Sequence, residues 1–313
     1  MSRHPVPRFS RRQLIESAAA LGAAALLPRP MPAAQAPTSR PLIKKAIPTS
    51  GEKLPAIGIG TDSFRADVSD DIRAELKRMS ELGGSVIDTA AAYGDSEALI
   101  GQALESLSTR RRMFIATKLV ASGGADSFAR SLQRLKTARV DLLQVHNLDG
   151  VAELIPTLRA WKKAGTIRYI GVTTSRGSQH AELMSAMRTY PLDFIQVDYS
   201  LANREAAEAI LPLALERKLA VLVNLPFGRS SLFQQSADRK LPDWVSQIDV
   251  NSWGQYFLKY VISHPAVTCA IPGSTKLTHL EDNQGAGRGR LPDAAMRRKM
   301  EEYWDSSTKN AES

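Results

Sequence analysis

The sequence predicts an α/β chain folded as a (β/α)8 TIM barrel with an N-terminal β-hairpin. Three observations carry that prediction. Eight short apolar stretches follow the hairpin, and each leads into a segment of helical period or a loop standing in for one. Those stretches are mostly unbroken apolar runs, as expected of parallel strands covered on both faces. No Gly-x-Gly-x-x-Gly follows the first strand, which weakens a doubly wound open sheet as the alternative. With 313 residues, 43% of them hydrophobic, the chain can bury one substantial core, and closed barrels of this length form single domains.

The ends are read separately. Ser10-Arg11-Arg12-Gln13-Leu14 is a twin-arginine pattern, followed by an Ala-rich apolar run from Ile15 to Leu27 and small residues at Ala33, Ala34 and Ala36. Residues 1–36 are therefore expected to be a twin-arginine signal peptide and 37–313 the barrel. The apolar run is shorter than the roughly 20 residues a membrane span requires. Export to the periplasm by the twin-arginine machinery is expected, with tethering as the alternative if the signal is not cleaved. Pro37 would directly follow a cut after Ala36, an unfavourable position for one.

Charge narrows the partners. The net charge is +9, and Arg3, Arg8, Arg11, Arg12 and Arg29 against Glu16 place four of those charges ahead of Gln35. The remainder is basic without a long Lys/Arg run. It reads as ordinary surface plus an anionic ligand site, and a nucleic-acid groove is not expected. Cys269 is the only cysteine, which excludes an intrachain disulfide or a cysteine metal cage. It is expected to be a buried apolar thiol. No metal site is expected.

In chain order, the hairpin spans Ile43 to Gly60 around the turn Pro48-Thr49-Ser50-Gly51-Glu52-Lys53, and its second arm continues through Ala56 to Thr61. Gly58 and Gly60 permit a close backbone approach. A helix over 69–82 places Ile72, Leu76, Met79 and Leu82 on one face, and Gly83-Gly84 stops it before the strand ending at Asp88. The pattern then repeats: helix 96–107, strand 113–117, helix 126–137, strand 141–145, helix 151–163 with Gly165 as its stop. Strand 168–172, helix 179–187, strand 193–197, helix 204–215 and strand 220–223 follow. An irregular stretch runs over 226–251, then helix 255–263, strand 267–271, a short helix near 278–283 and an amphipathic helix over 293–305.

In such a barrel, functional residues collect where strands run out into βα loops. Those positions hold Asp88 and Tyr93 after one strand, Lys118 after the next and His146 after the third. Each has a bland reading as a loop or strand-end residue, but their chemistries interlock. A phenol has a pKa near 10, too high to give up a proton readily at neutrality. A neighbouring ammonium should lower it, and a carboxylate beside the lysine keeps that lysine charged and in place. An imidazole can fix the direction of a carbonyl oxygen. The group protonates an oxygen while something else attacks the carbon, and no side chain supplies the attacking group. A reduced nicotinamide would supply hydride.

From Ile43 to Asn283 the chain resembles the aldo-keto reductase family. The resemblance rests on Leu54-Pro55-Ala56-Ile57-Gly58-Ile59-Gly60-Thr61, Ile87-Asp88-Thr89-Ala90 through Tyr93-Gly94, Thr117-Lys118 and Asp141-Leu142-Leu143-Gln144-Val145-His146. Further along it rests on Gly165-Thr166-Ile167-Arg168-Tyr169-Ile170-Gly171-Val172, Gln196-Val197-Asp198-Tyr199-Ser200, Leu225-Pro226-Phe227-Gly228 and Ile271-Pro272-Gly273-Ser274 through Asp282-Asn283. The resemblance implies a catalytic tetrad of Asp88, Tyr93, Lys118 and His146, with Tyr93 the general acid in reduction and the general base in oxidation. It implies NADP(H) as cofactor, NAD(H) being the alternative, and a small carbonyl or alcohol as substrate. The implied cofactor-binding residues are Gly60, Thr61, Thr173, Thr174, Gln196, Leu225 and Gly228, then Ser274, Thr275, Lys276, His279, Asp282 and Asn283.

Several positions depart from the family's pattern. Thr173-Thr174 replaces a Ser-Asn pair, and Asn224 stands where an aromatic ring usually stacks on the nicotinamide. Gly273 and His279 replace the basic residues that usually grip the 2′-phosphate. Asp62 and Asn147 imply a polar substrate pocket, over which the stretch 229–252 with Trp244, continuing to Trp253, could serve as a substrate loop. The second function considered is a nucleotide- or ligand-binding barrel without catalysis, which Asn224 and Thr174 favour and the complete tetrad opposes. A barrel isomerase or hydrolase without nicotinamide fits Asp282-Asn283 poorly.

Overall fold

The computed structural model describes residues 40–309. The expected signal segment and its boundary at residue 36 lie outside the described residues. Lys44–Ala46 (β1) and Lys53–Pro55 (β2) pair antiparallel as the hairpin. Eight parallel strands follow: Ile59–Gly60 (β3), Val86–Asp88 (β4), Phe114–Leu119 (β5), Val140–Val145 (β6), Ile167–Thr173 (β7), Phe194–Asp198 (β8), Ala220–Asn224 (β9) and Val267–Ala270 (β10). Each is hydrogen-bonded to the next in sequence order. Parallel bridges Ile57↔Ala270 and Gly60↔Gly273 join the last strand to the first and close the barrel.

The glycine pair predicted to allow a close approach does so against the two strands that flank β3. A Cβ on Gly60 would lie 2.8 Å from the Ile271 carbonyl oxygen, and one on Gly58 would lie 2.7 Å from that of Val86. Only hydrogen fits at either place. The expected second hairpin arm is therefore two elements, because β2 ends at Pro55 and the chain turns into the barrel wall.

The helices are Ser69–Glu81 (α1), Ser96–Ser106 (α2), Gly124–Arg134 (α3), Val151–Ala164 (α4), His180–Thr189 (α5), Ile210–Glu216 (α6), Ser231–Ser236 (α7), Trp253–Ser263 (α8), Leu277–Ala286 (α9) and Ala294–Lys309 (α10). The helix expected over 204–215 is divided: a 3-10 turn at Glu205–Ala207 precedes α6. The stretch expected to be irregular contains α7 and a 3-10 segment, Asp243–Ile248. Helix α8 starts two residues earlier than its periodicity indicates, because Ser252 Oγ caps it by accepting from the Gln255 amide at 3.0 Å.

Alternation hidden in the apolar runs sorts the barrel into two cores. One residue set packs outward against the helices, including Ile87, Ile115, Leu143, Ile170, Ile195 and Val221. The other fills the interior, with Val86, Phe114, Leu142, Tyr169, Phe194 and Leu222 joined by Ile47 and Leu54 from the hairpin. Phe114, Tyr169 and Phe194 form an aromatic cluster with ring centroids 5.4–5.9 Å apart. The hairpin covers the N-terminal end and packs Ile47 and Leu54 against this half of the barrel. Cys269 is fully buried in this interior core, and burial pushes its thiol pKa up.

Candidate active site

The same alternation brings polar residues inward at the C-terminal end. Asp88 lies two residues beyond Val86, Lys118 four beyond Phe114, and Gln196 two beyond Phe194, so each shares its strand's inward face. Asp88 and Lys118 are 2% and 3% exposed, and Lys118 Nζ donates to Asp88 Oδ2 at 2.6 Å. The lysine also donates to the Thr89 carbonyl at 2.9 Å. Asp88 accepts from Gln196 Nε2 at 3.3 Å and Gln144 Nε2 at 3.4 Å. These donors satisfy a carboxylate that would otherwise be costly to bury. Burial raises the Asp88 pKa, and the lysine and both amides oppose the rise. Burial alone would lower the Lys118 pKa; Asp88 and, after it, Tyr93 together outweigh burial and hold the lysine above its ordinary value.

Tyr93 is placed by the turn that follows Asp88. Its amide donates to the Ala90 carbonyl at 3.0 Å, and its own carbonyl accepts from Ser96 at the start of α2 at 3.2 Å. A buried hydroxyl chain fixes the loop from beneath: Ser96 Oγ lies 3.0 Å from Thr89 Oγ1 and donates to Thr61 Oγ1 at 2.7 Å, which donates to the Asp88 carbonyl at 2.9 Å. The Lys118 ammonium lies 4.8 Å from the centroid of the Tyr93 ring, and the His146 ring meets it edge-on with centroids 6.0 Å apart.

The expected lowering of the Tyr93 pKa does not occur. Burial raises it, and Asp88 adds to the rise; Lys118 opposes both without overcoming them. The phenol therefore holds its proton at neutral pH. Burial first and Lys118 second lower the His146 pKa to about 4, so its imidazole is neutral at pH 7 and has one N–H to donate.

These four residues line a cavity of about 580 Å³ across the C-terminal mouth. Gly60, Thr61, Thr173, Gln196, Leu225, Ser274, Thr275 and His279, all named from the sequence, also line it. The other five do not. Thr174 is fully buried, and its hydroxyl donates to Gln179 Oε1 at 2.7 Å; the next residue, Ser175, takes the lining position. Gly228 forms a turn with Leu225, its amide donating to that carbonyl at 2.9 Å. Lys276 precedes α9 as its N-cap residue. Asp282 is held by Ser252 Oγ at 2.6 Å and Gln255 Nε2 at 2.8 Å, while Asn283 is buried. Trp244 and Trp253 do not line the cavity either. Trp253 stacks on Phe257 with ring centroids 5.5 Å apart, and Trp244 meets Tyr256 and Tyr303, so this stretch contributes only Arg229 and Ser230 to the cavity.

Sequence reasoning passed over Ser175, Arg229 and the role of Gln144. Gln144 lies two residues before His146 on the same inward face, so the period of two along β6 was the signal that could have found it.

The cavity can take a dinucleotide. Thr173, Gln196, Ser274 and Thr275 distribute hydrogen-bonding groups along it, and Asn224 Oδ1 is buried without a hydrogen-bond partner among the described residues. At the far end Ser274 Oγ donates to Glu75 Oε1 at 2.6 Å, and Glu75 Oε2 has no hydrogen-bond partner among the described residues. Burial raises the Glu75 pKa. Among the described residues no cluster of His, Cys, Asp and Glu could hold a metal ion, and no helix is long and apolar enough to cross a membrane.

The family model of the Aldo/keto reductase family matches residues 56–302. An uncharacterized oxidoreductase of Schizosaccharomyces pombe is 31% identical over 229 residues, covering 67% of this chain and 72% of that protein. An aldo-keto reductase of Strobilurus tenacellus is 28% identical over 300 residues, covering 81% of this chain and 88% of that one. The crystal structure of an aldo-keto reductase from Klebsiella pneumoniae in complex with NADPH matches with a TM-score of 0.71 and 25% identity, covering 84% of this chain and 96% of the other.

Proposed function

We infer the function from one premise: the chain belongs to the aldo/keto reductase family and is an NAD(P)H-dependent oxidoreductase. We propose that it is an exported NADP(H)-dependent enzyme interconverting a carbonyl and an alcohol on a small molecule. The observation that carries this reading is the buried Asp88–Lys118 ion pair set against the Tyr93 ring, with a neutral His146 across from it. The cofactor, held by Thr173, Gln196, Leu225, Ser274 and Thr275, supplies hydride when bound.

The side chains do the rest. His146 donates its N–H to the substrate carbonyl and fixes its direction. Tyr93 delivers its phenolic proton to that oxygen as negative charge develops there. The proton stays on Tyr93 until then, because burial disfavours the phenolate. Lys118 stabilises the phenolate once the proton has left, and Asp88 keeps the lysine charged and in register. In the oxidative direction Tyr93 takes the proton back.

Cofactor binding is read by titrating NADPH and NADH against tryptophan fluorescence, and no response to either would remove the enzyme reading. Carbonyl reduction by Tyr93→Phe should fall by about 10²–10⁴-fold with nucleotide binding retained. Asn224 in place of a stacking ring favours the second reading, a binding barrel without catalysis; a wild type that binds nucleotide but reduces no carbonyl in a broad panel would establish it. Export is supported by Ser10-Arg11-Arg12-Gln13-Leu14. Replacing Arg11 and Arg12 with Lys should leave the protein in the cytoplasm on fractionation, and an unchanged periplasmic pool would refute the twin-arginine route.

A further inference from the structure

We propose that the N-terminal end of the barrel, opposite the candidate active site, carries a second binding site for a small soluble molecule bearing three or more phosphate or carboxylate groups. A cleft of about 920 Å³ opens there between the hairpin and the starts of β5, β6 and β7. Seven basic side chains line it against two acidic ones, Glu52 and Asp141. Both carboxylates are already engaged. Arg168 bridges them, donating to Asp141 Oδ1 at 2.8 Å and to Glu52, while Arg110 lies 3.8 Å from Asp141. Arg110 is fixed further by donating to the Met113 carbonyl at 3.0 Å and the Arg139 carbonyl at 2.7 Å.

The remaining cations are in excess. Lys136 pairs with Glu105, but Arg111, Arg112, Arg139 and Lys53 are exposed and their side chains form no ion pair among the described residues. They come from three separate segments, so a fixed concentration of like charge is held together by the fold. Such crowding costs stability, and a bound polyanion offsets it. Burial, with Arg139 adding to it, lowers the Arg110 pKa against the pull of Asp141. Guanidinium forks suit the paired oxygens of phosphate and carboxylate groups, and Ser85 and Thr137 add hydroxyls to the wall.

Shape and lining choose the ligand class. A concave site of this volume suits a small molecule. Among the described residues the only ring lining it, Phe114, is buried in the barrel interior, so bases of a nucleic acid would find no stacking platform there.

The test is calorimetric titration of inorganic tripolyphosphate into the full chain at about physiological ionic strength. Saturable binding at one site is expected, equal in Tyr93→Phe and retained under saturating NADH. The double variant Arg112→Ala with Arg139→Ala should bind about tenfold or more weakly, with a ligand-free melting temperature no lower than that of the wild type. Arg111→Glu, altering one exposed side chain, should weaken binding in the same direction and stands in if the double variant fails to fold. Absence of saturable binding, undiminished affinity in the folded variants, or loss of binding under NADH would overturn the proposal. So would association with phosphatidylserine vesicles by a protein that ignores tripolyphosphate, since that would assign the cleft to a membrane surface.

Discussion

The two halves of the barrel interior are built from the same strands and behave oppositely. Toward the N-terminal end Val86, Phe114, Leu142 and Phe194 pack with the hairpin into an apolar plug. Two to four residues further along those strands stand Asp88, Lys118, Gln144 and Gln196, joined by hydrogen bonds of 2.6–3.4 Å. Burial stabilises the first set, because removing apolar area from water is favourable. It penalises the second, whose charges are tolerated only because each finds a partner. The difference teaches where each kind of energy is held: the plug fixes the spacing of the strands, and that spacing brings an ammonium, a carboxylate and a phenol together.

Lys118→Met tests the polar half most severely. It leaves Asp88 buried without its cation, so stability should fall by about 3–5 kcal/mol. Turnover should fall by about 10²–10⁴-fold, because the phenolate loses its stabilising charge. Denaturant melts and steady-state kinetics read both, and a stable, fully active variant would break the assignment. Phe194→Ala probes the apolar half. Loss of its ring from the aromatic cluster should cost about 3–5 kcal/mol, while the pH profile of turnover keeps its shape. A shifted profile would show that the plug tunes the chemistry directly.

The smallest effect is expected at Glu75 on α1, outside the barrel interior, where a buried carboxylate oxygen has no hydrogen-bond partner among the described residues. Glu75→Gln removes a charge beside Ser274, one of the residues proposed to hold the cofactor, whose phosphates are anionic. NADPH should bind about fivefold more tightly and NADH less changed, read by fluorescence titration. Equal gains for both nucleotides would place Glu75 away from the 2′-phosphate.

Much of this molecule was legible in sequence order. The strands appear as apolar runs and the helices as 3.6-residue periods, since both depend on residues close together in the chain. Asp88, Tyr93, Lys118 and His146 could be named because each falls at or near a strand end, where a barrel directs side chains into its mouth. Thr174 and Asp282 could not be placed the same way. A hydroxyl or carboxylate in a matching position still chooses among its neighbours, and Gln179 is five residues from Thr174 while Ser252 is thirty from Asp282.

The amino-acid sequence by itself determined the barrel, the order of its strands and the identity of the candidate acid–base group, because local pattern and spacing encode all three. Tertiary structure decided what those groups experience. It set burial of Tyr93 against the charge of Lys118, and burial prevails. It turned Asp282 toward α8 and gathered arginines from separate loops at the opposite end. The reason is physical: desolvation and charge–charge energies depend on distances through space, which arise only when the chain has folded.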